Sequence, residues 1–250
     1  MKFFSFDTPP RIDEPEWIDS EEHDYEDFRA SMTDVRHANR FLGGTPIVTK
    51  QVRRWLKRQA GDARVREPVT FLDVATGSAD LPEEIARVGE KEGVEVRIVG
   101  LDYSNPILRF AREKVGERAE IKLVRGDAFQ LPFADESFDY ALCSLAFHHF
   151  GFEQSIMAMR EMERVARRGW LVNDLRRAWS AWLLIRLVSS VTRMNRLTRH
   201  DGPASVLRAY SVDEYRAMPE ALGLRVGREV TLRRRLFYRV ALIRDKQSVI

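Results

Sequence analysis

The apolar positions of the chain change their period once, and that change divides it. Over 25–42, Phe28, Met32, Val35, Ala38 and Leu42 recur every three or four residues, the spacing of one helix face. Gly43-Gly44 supplies a stop, and Thr45-Pro46 a restart with an N-cap and a proline in the first turn. A second helix then carries Val48, Val52, Trp55 and Leu56. After Gly61 short apolar runs alternate with amphipathic stretches. The runs 69–74, 94–101, 121–124, 140–144 and 169–173 predict strands, whereas 81–89, the segment opened by Ser104-Asn105-Pro106, and 153–167 predict helices. Finally, 225–232 and 236–243 predict an antiparallel pair.

Strands alternating with helices specify a doubly wound, Rossmann-like α/β fold, here with seven strands and a terminal antiparallel hairpin. A largely irregular acidic segment and a helical cap, residues 1–60, precede the main domain, residues 61–250. Between the fifth strand and the hairpin lie about 50 residues, more than one crossover helix needs, so about 175–222 is read as a lid insertion. Ligands of such sheets bind at the carboxyl ends of the strands.

Composition narrows the class only modestly. Apolar residues make up 44% and charged residues 32%, ordinary for a soluble globular protein. No apolar run approaches the roughly 20 residues of a membrane span, and the first residues lack the apolar core of a signal peptide, so a cytoplasmic location is expected. The single cysteine, Cys143, excludes an intramolecular disulfide and gives no support for a cysteine-based metal site. Eight carboxylates lie between Asp13 and Glu26, and seven arginines between Arg225 and Arg244 face Glu229 alone. Stacking aromatics do not interleave with those arginines, so they are read as a solvated strand face and not as a nucleic-acid surface.

The turn after the first strand, Asp73-Val74-Ala75-Thr76-Gly77-Ser78-Ala79-Asp80, carries the first chemical signal. It resembles the opening motif of class I methyltransferases, acidic-x-Gly-x-Gly-x-Gly, with alanine at the first and third glycines. A dinucleotide motif would put Asp80 where a small residue allows close helix–strand packing. Carboxylates at the turn also suit a cationic amino-acid moiety better than a pyrophosphate, which favours S-adenosylmethionine (SAM) over NAD. Asp102 ends the second strand, where a carboxylate can accept both ribose hydroxyls. Asp127 follows the third, where it can accept from an adenine amino group.

The stretch Gly126-Asp127-Ala128-Phe129-Gln130-Leu131-Pro132-Phe133-Ala134-Asp135-Glu136-Ser137-Phe138-Asp139 makes the resemblance specific. It is similar to the Asp-x-x-x-Leu-Pro-Phe-x-Asp-x-Ser-Phe-Asp signature of the ubiquinone and menaquinone biosynthetic methyltransferases. The likeness covers about 69–172 and the general form of the terminal hairpin. It implies SAM as cofactor, with Asp102 on the ribose, Asp127 and the Ala128 backbone on adenine, and Tyr103 packed against the base. It also implies that Gly77 lies beside the methionine moiety, with Ser144 and Leu145 near the sulfonium; Asp73, Ala75 and Thr76 of the same turn are further candidate cofactor contacts. The stretch Arg36-His37-Ala38-Asn39-Arg40 departs from the quinone enzymes, and Arg40 is kept as a further cofactor contact. Here the chain looks more like bacterial relatives that share its Asn-Asp-Leu-Arg and Thr-Arg-His-Asp-Gly segments.

For the acceptor, the apolar crowd Trp179, Trp182, Leu183, Leu184, Ile185, Leu187 and Val188 is read as a lid over a largely apolar small molecule. Trp179, Trp182, Asp174 and Arg176 are the candidate substrate contacts. Methyl transfer is an in-line displacement, so alignment and exclusion of water carry most of it. A phenol, with a pKa near 10, needs a base at neutral pH, and His148, His149 and His200 are the candidates. The expected reaction is metal-independent O-methylation of a phenol or quinol-like natural product. Metal assistance is set aside because the fourth strand ends in Cys143-Ser144-Leu145, without a carboxylate. C-methylation of a quinone or polyketide precursor stays open. So, more remotely, do an RNA or protein N-methyltransferase and a SAM-binding protein without turnover.

Overall fold

A computed structural model of the chain describes residues 8–19, 24–41, 44–60, 67–192 and 194–248. The strands are β1 (Val69–Val74), β2 (Val96–Asp102), β3 (Ile121–Arg125), β4 (Phe138–Ser144), β5 (Ala166–Leu175), β6 (Val230–Arg235) and β7 (Arg239–Asp245). They form one seven-stranded sheet in the order β3-β2-β1-β4-β5-β7-β6. The first five run parallel, and β7 lies antiparallel to both β5 and β6. Strand order reverses between β1 and β4, so a crevice opens at their carboxyl ends. This is the Rossmann-like sheet with a terminal hairpin that the alternation predicts.

The helices are α1 (Tyr25–Phe41), α2 (Gly44–Ala60), α3 (Asp80–Glu92), α4 (Asn105–Val115), α5 (Phe152–Val165), α6 (Trp179–Val191), α7 (Arg196–Arg208) and α8 (Val212–Ala221). Alternate strand residues feed two cores. Phe71, Tyr140, Leu142 and Leu171 meet α2 and α3 on one face, while Leu72, Ala141, Trp170 and Val172 meet α5 and α8 on the other. The predicted second helix buries Val48, Val52, Trp55 and Leu56 completely, each contributing about 1.5–3 kcal/mol. Trp55 stacks on Tyr140 at 4.1 Å between centroids. No helix among the described residues is long and apolar enough to cross a membrane.

Two expectations shift. Gly44 is the first residue of α2 and not a terminator, while Leu42, Gly43 and Gly61 lie outside the described residues. The hairpin begins later than 225, because Arg225 to Val230 closes as a turn. There Glu229 N–H donates to Arg225 O and Gly227 N–H to Val230 O, both at 2.8 Å. Nor is the arginine-rich hairpin wholly solvated. Arg239 is buried opposite Leu175, and its burial pushes its pKa down to about 10.

Candidate active site

At the crevice the chain must turn from β1 into α3 within five residues. Ala75, Gly77 and Ala79 take φ of +54°, +56° and +59°. For the two alanines this left-handed backbone costs of order 1 kcal/mol each, so the substitutions in the glycine motif are carried as strain and leave the turn intact. Thr76 N–H donates to Leu101 O at 2.9 Å, which pulls the turn onto β2. The approach is possible because residue 100 is glycine: a Cβ there would lie 2.8 Å from Thr76 Oγ1.

Two buried carboxylates face this turn. Asp73 accepts from Thr76 Oγ1 at 2.7 Å, and burial, reinforced by Asp102 and Asp80, pushes its pKa up to about 7. Asp102 accepts from Gly77 N–H and from Ser104 N–H, each at 3.0 Å, and burial raises its pKa against these bonds. Desolvated acids of this kind favour a cationic ligand, and the Cβ direction at Gly77 is clear of atoms within 4 Å. The residues present therefore fit the methionine and ribose portions of SAM.

Asp73, Gly77 and Asp102 line one end of a cavity of about 630 Å³. Its far walls come from remote parts of the chain: Val35 and Ala38 on α1, Ile185 and Val188 on α6, and Arg239 on β7. The apolar stripe predicted on α1 is thus split. Phe28 and Met32 pack with Phe110, and the following residues face the cavity. Ser144 and Leu145 line the middle, and Ser144 Oγ accepts from Asn173 Nδ2 at 2.8 Å.

Beside them a 3-10 turn, Phe147–His149, presents both histidines to the cavity. His148 is buried, with Nδ1 2.7 Å from the Asp174 carboxylate, which also accepts from its backbone N–H at 3.1 Å. Burial pushes the Asp174 carboxyl up, but the His148 imidazole, the Leu175 N–H and the Arg239 guanidinium together hold it below its usual range.

The segment 8–19 lies across this end and is fastened to α7. Asp201 accepts from Trp17 N–H and Ile18 N–H, both at 2.9 Å, and Ser205 Oγ donates to Glu16 at 2.7 Å. Arg208 donates to the backbone oxygens of Glu14, His148 and His149 at 2.6, 3.3 and 3.0 Å. Glu16 thereby reaches the cavity, with its carboxylate 3.8 Å from His148 Nε2 and 3.9 Å from His149 Nε2.

The structure places several of the sequence-predicted residues away from the cavity. Trp179 is exposed and packs edge-on against Trp182, and the lid turns Ala181, Ile185 and Val188 inward instead. The reason is the phase of α6: small Gly202 on α7 admits Ile185, whose Cγ1 would sit 3.3 Å from a Cβ there. His200 is outside the cavity, stacked on Trp17 at 3.6 Å and bonded to Asp201 at 2.9 Å. Arg40 is exposed, while Arg36, one turn earlier, pairs with Asp80 at 3.1 Å and Glu83 at 2.5 Å.

Asp174 is fully buried behind His148 and does not line the cavity, whereas Arg176 does. Tyr103 is 70% exposed, with the Arg125 guanidinium over its ring. Asp127 is exposed at the end of β3, where it accepts from Phe129 N–H at 2.8 Å, and Ala128 is buried. Glu16 and Arg239 were not foreseen. One lay in an acidic, proline-flanked stretch without periodicity and the other in a run of arginines.

Residues 72–172 match the methyltransferase domain family. The chain is 33% identical over 126 residues to a demethylmenaquinone methyltransferase of Staphylococcus aureus, a match that spans about half of each protein. Among solved structures, a SAM dependent methyltransferase from Aquifex aeolicus superposes with a TM-score of 0.58 at 18% identity, over 86% of this chain and 97% of that one. The DszA carbon methyltransferase gives 0.60 at 14% identity, over 80% and 53%. The family match and the fold together identify residues 72–172 as a methyltransferase domain, similar over part of its length to the demethylmenaquinone methyltransferases.

Proposed function

We propose that the chain methylates a hydroxyl of a small, largely apolar acceptor, phenolic or quinol-like, with SAM as donor. One observation carries the reading: a single cavity is lined by the carboxylate-bearing turn, by apolar side chains of α1 and α6, and by Glu16, His148 and His149. SAM supplies an electrophilic methyl group. In this reading Asp102 accepts the ribose hydroxyls, Asp73 and the Gly77 turn receive the cationic methionine end, and Asp127 with the Ala128 backbone meets the adenine. Val35, Ile185 and Val188 hold the acceptor body and exclude water, which aligns the oxygen for in-line attack. The polar cluster assists loss of the proton from the hydroxyl, since a neutral phenol attacks slowly near pH 7.

A ring carbon is the second candidate acceptor, because relatives with quinone and carbon-methyltransferase names are similar to this chain. Oxygen is favoured by the placement of the cluster, which suits a hydroxyl entering between Leu145 and His148. Phenols, hydroquinones and alkylresorcinols incubated with the protein and SAM should yield methyl ethers by mass spectrometry. Ring-methylated products would move the reading to carbon, and an untouched panel beside a modified RNA or peptide amine would overturn it.

A further inference from the structure

We propose that Glu16, His148 and His149 form a binding site for a divalent transition metal of the zinc type. Among the described residues these are the three side chains whose ligand atoms all fall within 4.8 Å of one another in a set of metal-binding character. The Glu16 and His148 side chains are 5% exposed and His149 is 29% exposed, so the set is screened from bulk water yet opens on the cavity.

The spacing argues for a shared ion over a direct ion pair. A charge-assisted N–H···O bond closes to about 2.7–2.9 Å, whereas the two imidazole–carboxylate separations here are 3.8 and 3.9 Å. Two ligands held about 2.0–2.1 Å from one tetrahedral ion stand roughly 3.4 Å apart, so each carboxylate–imidazole pair must close by about half an ångström, and the two imidazole nitrogens, which lie within 4.8 Å of each other, by at most about 1.4 Å. Two imidazoles and one carboxylate are the donors of a catalytic zinc centre that keeps a position free for water or substrate.

The surroundings are also those of a ligand set. Asp174 holds His148 Nδ1 at 2.7 Å, which fixes the ring and leaves Nε2 directed at Glu16. Ser205 Oγ fixes the Glu16 carboxylate at 2.7 Å, and Arg208 pins the backbone oxygens of both histidines. The expectation of metal independence rested on Ser144, which is indeed no carboxylate. The fold gathers its donors elsewhere, one of them from 132 residues before His148 in sequence.

The role of such an ion, though not its presence, rests on the acceptor reading above. It would bind the acceptor oxygen, lower the pKa of the hydroxyl so that the proton passes to solvent, and leave the oxygen facing the methyl group.

The test uses the full chain, stripped with EDTA and titrated with zinc(II) by calorimetry and with cobalt(II) by visible absorption. One equivalent should bind. Glu16→Gln and His149→Ala should each weaken binding at least tenfold, and Asp174→Asn by roughly ten- to a hundredfold through its hold on His148. SAM binding by Glu16→Gln and His149→Ala reports whether they are folded. No stoichiometric binding, or binding undiminished in both variants, overturns the site. Metal bound without any phenol methylated would leave the site standing and sink the acceptor reading. Full methylation by stripped, metal-free protein would keep the acceptor reading and overturn the role given to the ion in it.

Discussion

The two halves of the cavity are built in opposite ways. The cofactor half comes from three consecutive strand ends, closed by short turns whose backbone N–H groups bind the neighbouring carboxylates. The other half, where we propose the acceptor sits, is assembled from the 8–19 segment, α1, α6, α7 and β7, held by side chains that reach across nearly the whole chain. One half is fixed by local backbone geometry and the other by a few long-range polar contacts. Changes in the first should act on SAM, and changes in the second on the acceptor.

The largest expected effect tests the cofactor half. Asp102→Ala should weaken SAM binding by about 1.5–3 kcal/mol, roughly ten- to a hundredfold in Kd, and leave metal binding in place. Calorimetry showing unchanged SAM affinity in a folded variant would remove Asp102 from the site.

The next effect depends on pH. The Asp73 pKa of about 7 lies above its ordinary value of 3.8. Between those values the folded, ligand-free chain keeps a proton that the unfolded chain has released, so this carboxylate makes stability fall as pH rises through the window. A cationic ligand prefers ionised Asp73. SAM affinity should therefore rise with pH up to about 7, by as much as about tenfold per unit, and binding near pH 6 should release a proton. Calorimetry in buffers of different ionisation enthalpy measures that proton; a flat profile would place the cation elsewhere.

On the acceptor side, Asp201→Ala removes both bonds that fasten Trp17 and Ile18. The KM for the acceptor should rise several-fold at constant SAM affinity, and the two amides should exchange faster with deuterium. If SAM affinity falls as well, the halves are not separable.

The smallest effect is expected for His200→Ala. Its ring covers Trp17 outside the cavity, so turnover should change by less than about twofold. A hundredfold loss would restore His200 as a base.

The same contrast explains what could be read from sequence. Strand and helix periods, the Asp73–Asp80 turn and the acids at strand ends are contiguous signals, and the structure places them at the crevice or its rim. The signature through Asp139 is legible too, yet several of its residues hold the fold together here. Phe133 packs on Phe138 at 5.0 Å, Arg164 holds Leu131 O and Phe133 O, and Asp139 ties Thr70 to Arg167. The acceptor side has no local code. The phase of α6 depends on Gly202, and the place of Glu16 depends on Ser205 and Asp201, none of which a single window of sequence brings together. Hence the tryptophans were assigned inward when the isoleucine and valine are.

The fastening of Trp17 to Asp201 spans 184 residues, and this orders events as the chain is made. By the end of β4 every residue of the cofactor turn and its partner strands has been synthesised, with β5 still to come. The far half of the cavity needs α7, so the 8–19 segment has no docking surface until Arg196–Arg208 has been made. A loop of that length closes late, because its entropy cost must be met before its contacts form. A nascent or truncated chain ending before α7 would present the donor end of the cavity open to water, with neither the seat for Glu16 nor the wall that shelters an acceptor.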